Sequence, residues 1–222
     1  MDNTQSHIPE ALQSLYRRYA EARHGEAFVT GYGNPAAAVL LIGEAPGRDE
    51  IRTGKPFQGS AGRRLDNMLS EAGLSRDALF VTNTVKTRLF KQGIRPGSRV
   101  NRPAVRADLL RDLPFLLEEI HLLTPRLIVT LGNVPLKALY LAAGRNDPPV
   151  IGDIHGRPVD WLPAGASPGK PIRVFPLYHP ASLIYNRALE PIVAEDCRRL
   201  GKICRHERFG ISNQEENREG YR

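Results

Sequence analysis

The sequence predicts an α/β protein, a three-layer α/β/α sandwich around a central four-stranded parallel sheet. Three observations carry that expectation. Four short apolar runs, at 36–42, 79–82, 127–131 and 173–177, are continuous rather than alternating, as strands buried on both faces are. Segments with helical spacing of apolar residues separate them. Strands that alternate with helices form parallel sheets, because each crossover helix must return the chain across one face.

The elements follow in order. Residues 8–23 read as a polar helix with Ile8, Leu12, Leu15 and Tyr19 on one stripe. The run 36–42 is the first strand. Ser60 is expected to cap a helix whose apolar side is Leu65, Met68 and Leu69, and which stops before Gly73. The second strand is 79–82, and a polar loop rich in Arg and Gly is expected over 88–103. A helix over 104–123 turns Leu109, Leu113, Leu116, Leu117 and Ile120 inward. The third strand, 127–131, stops at Gly132 and leads into a helix over 134–143. Gly and Pro crowd residues 144–171, which read as a long irregular or hairpin insertion. The fourth strand is 173–177, and a helix over 188–204 closes the fold. Beyond 205 the chain is too polar to pack and is expected to fray. Neither an internal repeat nor a linker interrupts the pattern, so 1–204 reads as a single domain and 205–222 as a tail.

Composition narrows the function classes. Of 222 residues, 41% are hydrophobic, enough for a real core. Lys and Arg exceed Asp and Glu by 31 to 24, a net charge of +7. A mildly basic chain is often only a solvated surface. Here the cations are concentrated: Lys86, Arg88, Lys91, Arg95, Arg99, Arg102 and Arg106 occur without one intervening acid. That favours a polyanionic partner, since neutralising phosphates drives nucleic-acid binding. Two cysteines, Cys197 and Cys204, argue against a disulfide framework and against a cysteine-ligated cluster. The absence of a long apolar run or a signal peptide points to a cytoplasmic protein with no membrane partner.

Open parallel sheets bind ligands outside the C-terminal ends of their strands. The turn after the first strand is Gly43-Glu44-Ala45-Pro46-Gly47, followed by Gly54, Lys55, Pro56, Phe57, Gln58 and Gly59. Such a loop is common between a strand and a helix, yet two loop glycines, a carboxylate and an aromatic exceed what a turn needs. Glycines let backbone amides approach a ligand, and a loop Phe57, not easily part of a core, suits stacking on a planar base. Ser60-Ala61-Gly62 opens the next helix, whose free amides suit a phosphate. Asn83 ends the second strand. A capping role is a fair alternative, but a side-chain amide sets one donor beside one acceptor, which matches O4 and N3–H of uracil and mismatches cytosine. Tyr178-His179-Pro180-Ala181-Ser182 follows the fourth strand. A lone His is more often structural. Here Pro180 stiffens the turn, and apolar Leu183, Ile184 and Tyr185 follow in an expected exposed loop, as in a wedge that enters a base stack. One turn thus supplies a carboxylate and the other a histidine, the pair needed to break a glycosidic bond to a base.

These motifs together resemble the uracil-DNA glycosylase superfamily, closest to its family-4 type. The resemblance runs through Gly31-Tyr32-Gly33-Asn34-Pro35, GEAPG, GKPFQGSAG, VTNTVKTR, NRP, LTPRLIVTLG and YHPAS, in consistent order over about 170 residues. It implies a monofunctional enzyme that flips deoxyuridine out of DNA and hydrolyses its N-glycosidic bond. It makes Glu44 and His179 the expected catalytic residues. Gly43, Ala45, Glu50, Phe57 and Asn83 are expected at uracil, with Glu50 beside C5. Ser60, Ala61, Gly62, Lys86, Arg88, Ser182, Leu183, Ile184 and Tyr185 are expected to contact DNA, single- or double-stranded, with the protein acting as a monomer.

The departures matter equally. Family-4 enzymes hold a four-iron cluster on four cysteines, and the corresponding positions here fall near Tyr16, Tyr19, Thr87 and Asp112. The resemblance therefore does not carry the cluster over, and no cofactor or metal is expected. A related branch traps its product covalently with a histidine in an Arg-rich insertion, but 88–103 contains no histidine. Ile51 replaces an acid and Gln58 an aliphatic residue. Two rival functions remain: a glycosylase for another deaminated base such as hypoxanthine or xanthine, and a non-catalytic DNA-binding relative, which would have no need of Glu44, Asn83 and His179 together.

Overall fold

The computed structural model describes residues 8–165 and 170–209. In chain order its elements are α1 (Glu10–Ala22), β1 (Tyr32–Gly33), β2 (Val39–Gly43), α2 (Arg48–Thr53), α3 (Gly59–Ala72), β3 (Phe80–Asn83), β4 (Phe90–Gln92), β5 (Arg99–Asn101), α4 (Arg106–Leu123), β6 (Leu127–Leu131), α5 (Asn133–Ala142), α6 (Ile151–Ile154), β7 (Val159–Trp161), β8 (Ile172–Leu177), α7 (Ser182–Tyr185) and α8 (Glu190–His206). The main sheet has the order β1-β3-β2-β6-β8-β7. Its four central strands, β3, β2, β6 and β8, run parallel, at the four expected runs.

The strand count differs from expectation: among the described residues the sheet has six strands, because short antiparallel β1 and β7 flank its two edges. Neither is long enough to leave a periodic signal. β7 lies in the 144–171 insertion and folds back on β8, so that segment is in part a hairpin with its partner strand. The expected 88–103 loop is also a hairpin, of β4 and β5. Its turn, Arg95-Pro96-Gly97-Ser98, is closed by Ser98 N–H donating to Arg95 O, with Gly97 at φ 74°. Proline followed by a left-handed glycine is the chemistry of a type II turn.

Side-chain alternation along the parallel strands divides the core between two faces. Val39, Leu41, Val81, Val129 and Phe175 meet α3 and α8. Leu40, Ile42, Phe80, Ile128 and Val174 meet α1, α4 and α5. The chain winds from β2 outward to β3, then returns through α4 to β6 on the other side of β2. The winding reverses there, which opens a crevice beyond the strand ends. At those ends Gly43 pairs with Asn83, and Leu131 with Leu177, so the functional turns share one edge.

Two boundaries move. Ser60 does not cap α3: Gln58 is the N-cap, and Ser60 sits inside the first turn. Packing also continues past 205, since α8 runs to His206 and Phe209 is buried in the core, with the Arg126 guanidinium 4.4 Å above its ring. The rest of the expected tail, 210–222, lies outside the described residues. Among the described residues no helix is long and apolar enough to cross a membrane.

Candidate active site

A cleft of about 580 Å³ opens at the edge where the strands end. Its floor comprises Ala45, Phe57, Asn83 and His179. Its rim carries Arg48, Glu50, Ser60 and Ala61 on one side, Arg88, Arg99 and Asn101 on another, and Tyr185 beside Ala181. The turns that build it are tied together by backbone bonds. Thr84 N–H donates to Gly43 O at 2.8 Å and Val85 N–H to Glu44 O at 2.9 Å, while Gly132 N–H donates to Leu177 O at 2.7 Å.

The floor is tightly fitted. Phe57 is held at φ 53°, an uncommon conformation for a bulky residue, and the loop around it is pinned by Arg76. The Arg76 guanidinium donates to Phe57 O and Gly62 O, both at 3.0 Å. Phe57 is part of the buried core while one side faces the cleft, which corrects the expectation of a loop aromatic outside the core. A side chain cannot replace hydrogen at Gly43: a Cβ there would lie 2.4 Å from Asn83 Oδ1 and 2.5 Å from the Phe57 ring. Gly43 thus lets the aromatic and the amide approach each other.

Asn83 is buried, and its side-chain amide makes no hydrogen bond with another described residue. Its backbone is fixed from below. Lys86 Nζ donates to Asn83 O at 3.1 Å, to Thr82 Oγ1 at 3.2 Å and to Glu119 Oε2 at 2.8 Å. Lys86 is only 1% exposed. The expected DNA contact at Lys86 is therefore corrected: its charge is spent on the buried Glu119 carboxylate, which an apolar helix pattern had hidden.

His179 sits 6.0 Å, centre to centre, from the Phe57 ring. Ala181 N–H donates to His179 Nδ1 at 3.1 Å. An Nδ1 that accepts leaves the ring proton of the neutral form on Nε2. Burial without a counter-charge pushes the imidazole down to about 4. The side chain is thus neutral near pH 7, with one N–H donor not used by Ala181.

Glu44 does not line the cleft as expected. Its Oε1 accepts the Ala104 N–H at 2.7 Å, and burial raises its carboxyl above the usual carboxylate range. Oε2 makes no hydrogen bond with another described residue. Glu50 lines the cleft, but both its oxygens staple the loop: Oε2 accepts from Gly47 N–H at 3.0 Å and Oε1 from Gln58 N–H at 3.1 Å. This departs from a carboxylate free to face C5 of a base.

The expected wedge also divides. Leu183 is 5% exposed and belongs to the core, so it is not a wedge residue. Ser182–Tyr185 is a short helix that turns Leu183 inward while Tyr185, 89% exposed, borders the cleft beside half-open Ile184. Ser60 and Ala61 line the cleft, whereas Gly62 is buried, where a Cβ would lie 2.0 Å from Phe57 O. Sequence reasoning missed Arg99, Val100 and Asn101 on the rim. The Pro-Gly turn between two short runs was the signal that could have located them.

Among the described residues no group of acids, histidines and cysteines is arranged to hold a metal. The positions that resemble cluster ligands carry hydrogen-bonded oxygen chemistry instead. Tyr16 O–H donates to Glu119 at 2.6 Å and Tyr19 O–H to Asp112 at 2.5 Å. Iron–sulfur clusters need thiolates, and the two cysteines lie buried on α8. The residues at these positions do not fit a cluster.

Residues 30–200 match the family model described as the uracil DNA glycosylase superfamily. A type-4 uracil-DNA glycosylase of Sulfurisphaera tokodaii is 35% identical over 176 residues, covering 79% of this chain and 74% of that protein. One of Saccharolobus solfataricus is 36% identical, covering 78% and 74%. One of Thermotoga maritima is 34% identical, covering 81% and 84%. With the parallel fold, the cleft at its strand ends and a match over most of its length, the chain belongs to the uracil DNA glycosylase superfamily.

Proposed function

We propose that this protein is a DNA-repair glycosylase that hydrolyses the N-glycosidic bond of deoxyuridine and leaves an abasic site. The observation that carries the reading is the floor of the cleft. A buried aromatic, an uncommitted amide and a neutral histidine converge there on a space that suits a planar base. Phe57 stacks on the flipped uracil and Asn83 pairs with its O4 and N3–H. Ala45 borders the space for the base, while Gly43, buried behind it, lets Phe57 and Asn83 come together.

As the carbon–nitrogen bond breaks, its electron pair passes to the base and charge grows on O2. The His179 Nε2–H donates to that oxygen. A neutral donor fixed in place by Ala181 needs no reorganisation at the moment of reaction. The sugar acquires cationic character; Glu44, set behind the cleft lining with Oε1 on Ala104 N–H, stabilises that charge at a distance or orients the attacking water through Oε2, and backbone groups of its loop share the task. Because burial raises Glu44, the acid limb of the rate profile is expected above the ordinary glutamate range.

Ser60 and Ala61 contact DNA at the amide end of α3, while Arg88 lies on the opposite rim. Tyr185, with Ile184, fills the space that the flipped nucleotide leaves. The enzyme acts as a monomer on single- and double-stranded DNA, without an iron–sulfur cluster, the oxygen ligands around Tyr16 and Tyr19 having taken over that part of the fold. Uracil release from a short single-stranded oligonucleotide tests the function. Free uracil is the expected product; binding without release would favour a non-catalytic relative, and release of hypoxanthine alone would favour the other deaminated bases.

A further inference from the structure

The β4–β5 hairpin is more than a basic loop. Of the cations in its neighbourhood, two are neutralised: Lys86 by Glu119, and Arg102 by Asp108 at 2.6 Å. Arg88, Lys91, Arg95 and Arg99 have no ion-pair partner among the described residues. The hairpin also exposes apolar side chains, Phe90 and Val100 at about two-fifths and Ile94 completely. A purely phosphate-binding surface has no use for these.

The apolar and cationic groups are organised together. The Arg99 guanidinium lies 4.4 Å from the Phe90 ring centre and that of Arg88 lies 6.0 Å from it. Arg88 is further fixed, its Nε donating to Asn101 Oδ1 at 2.8 Å and its Nη2 to Arg99 O at 3.1 Å. Arg99 makes no side-chain hydrogen bond to another described residue. One face of its guanidinium rests on Phe90, which leaves the other face and its donors for a ligand. Arg88, Arg99, Val100 and Asn101 all border the cleft, which is larger than one pyrimidine fills.

We propose that this hairpin is a second nucleic-acid subsite, in which the Arg88–Phe90–Arg99 stack receives the base of an unpaired nucleotide next to the target. The proposal rests on the glycosylase reading of the cleft and extends it to a neighbouring nucleotide. Planar cations and aromatics take unpaired bases through their π faces, which paired bases inside a duplex do not offer. The subsite therefore discriminates by strand state, and without sequence preference.

The test is fluorescence anisotropy with a labelled, uracil-free oligothymidylate, alone and annealed to its complement, for the full chain and for Phe90→Ala and Arg99→Lys. Both variants are expected to weaken single-strand binding about tenfold or more, the usual loss for one stacked base, and duplex binding much less. Arg99→Lys keeps the charge and removes the planar face, so it also decides the case if Phe90→Ala unfolds the hairpin. Equal losses on both DNA forms would reduce the hairpin to electrostatics and overturn the proposal, as would no loss. Uracil release by the wild-type protein is measured in parallel. Its absence would sink the glycosylase reading, whereas release combined with unchanged variant binding would sink only the subsite.

Discussion

Asn83 and His179 show how an ordinary side chain gains a function from what surrounds it. Asn83 is held from behind through its backbone, so its amide is oriented without being used. Asn83→Asp is expected to slow uracil release and relax discrimination against cytosine, because a carboxyl presents a different donor pattern. Release rates from matched uracil and cytosine oligonucleotides check this; an unimpaired variant would remove Asn83 from recognition. For His179 the desolvation of a half-buried ring has a stability consequence. Its folded value of about 4 lies below the ordinary 6.5. Between those values the unfolded chain binds a proton that the folded chain does not, so stability falls as pH drops from about 6.5 to about 4. His179→Gln should flatten that part of the curve. Urea unfolding of both proteins at pH 7 and pH 4.5 gives the comparison, and an unchanged difference between the two pH values would contradict the burial argument.

At the scale of elements, the short helix α7 separates packing from contact. Leu183 faces the core and Tyr185 the cleft, although the two are neighbours but one in sequence. Leu183→Ala should cost about 2–5 kcal/mol of stability, as buried leucine truncations do. Tyr185→Ala should leave the thermal midpoint nearly unchanged and slow release from duplex more than from single strands, because only a duplex must be kept open. Melting curves and single-turnover rates on both substrates distinguish them; equal slowing on both DNA forms would sink the wedge. This division was not legible in the sequence, where three consecutive apolar residues read as one loop tip. Lys86 was misread for a related reason: a lysine in a basic run looks solvated, and its partner Glu119 is 33 residues away on α4. The strands were legible because burial on both faces writes a continuous apolar run. The edge strands and the hairpin are set by pairing rather than by periodicity. Glu44 and His179 follow β2 and β8, as the apolar runs imply, but only the fold shows that Ala104 claims one oxygen of Glu44 and that Ala181 fixes the histidine proton.

At the scale of the whole molecule, the fold gathers its chemistry at one edge of the sheet and its buried charges at another place. The face covered by α1 and α4 holds Tyr16, Tyr19, Arg23, Asp112 and Glu119 in hydrogen-bonded contact. A network of this kind is consistent with a domain that needs no inorganic staple. The purified protein is expected to be colourless and free of iron. Stoichiometric iron together with broad visible absorbance would refute that expectation. In the proposed mechanism one neutral, half-buried histidine stabilises the leaving base. The most direct measurement is the single-turnover rate of uracil release from a single-stranded oligonucleotide by the wild-type protein and by His179→Ala, with affinity for abasic-site DNA measured alongside. The variant is expected to release uracil about a hundredfold or more slower, roughly 3 kcal/mol, with nearly unchanged affinity, since the interaction strengthens only as charge develops. A His179→Ala protein that releases uracil at the wild-type rate would contradict the mechanism.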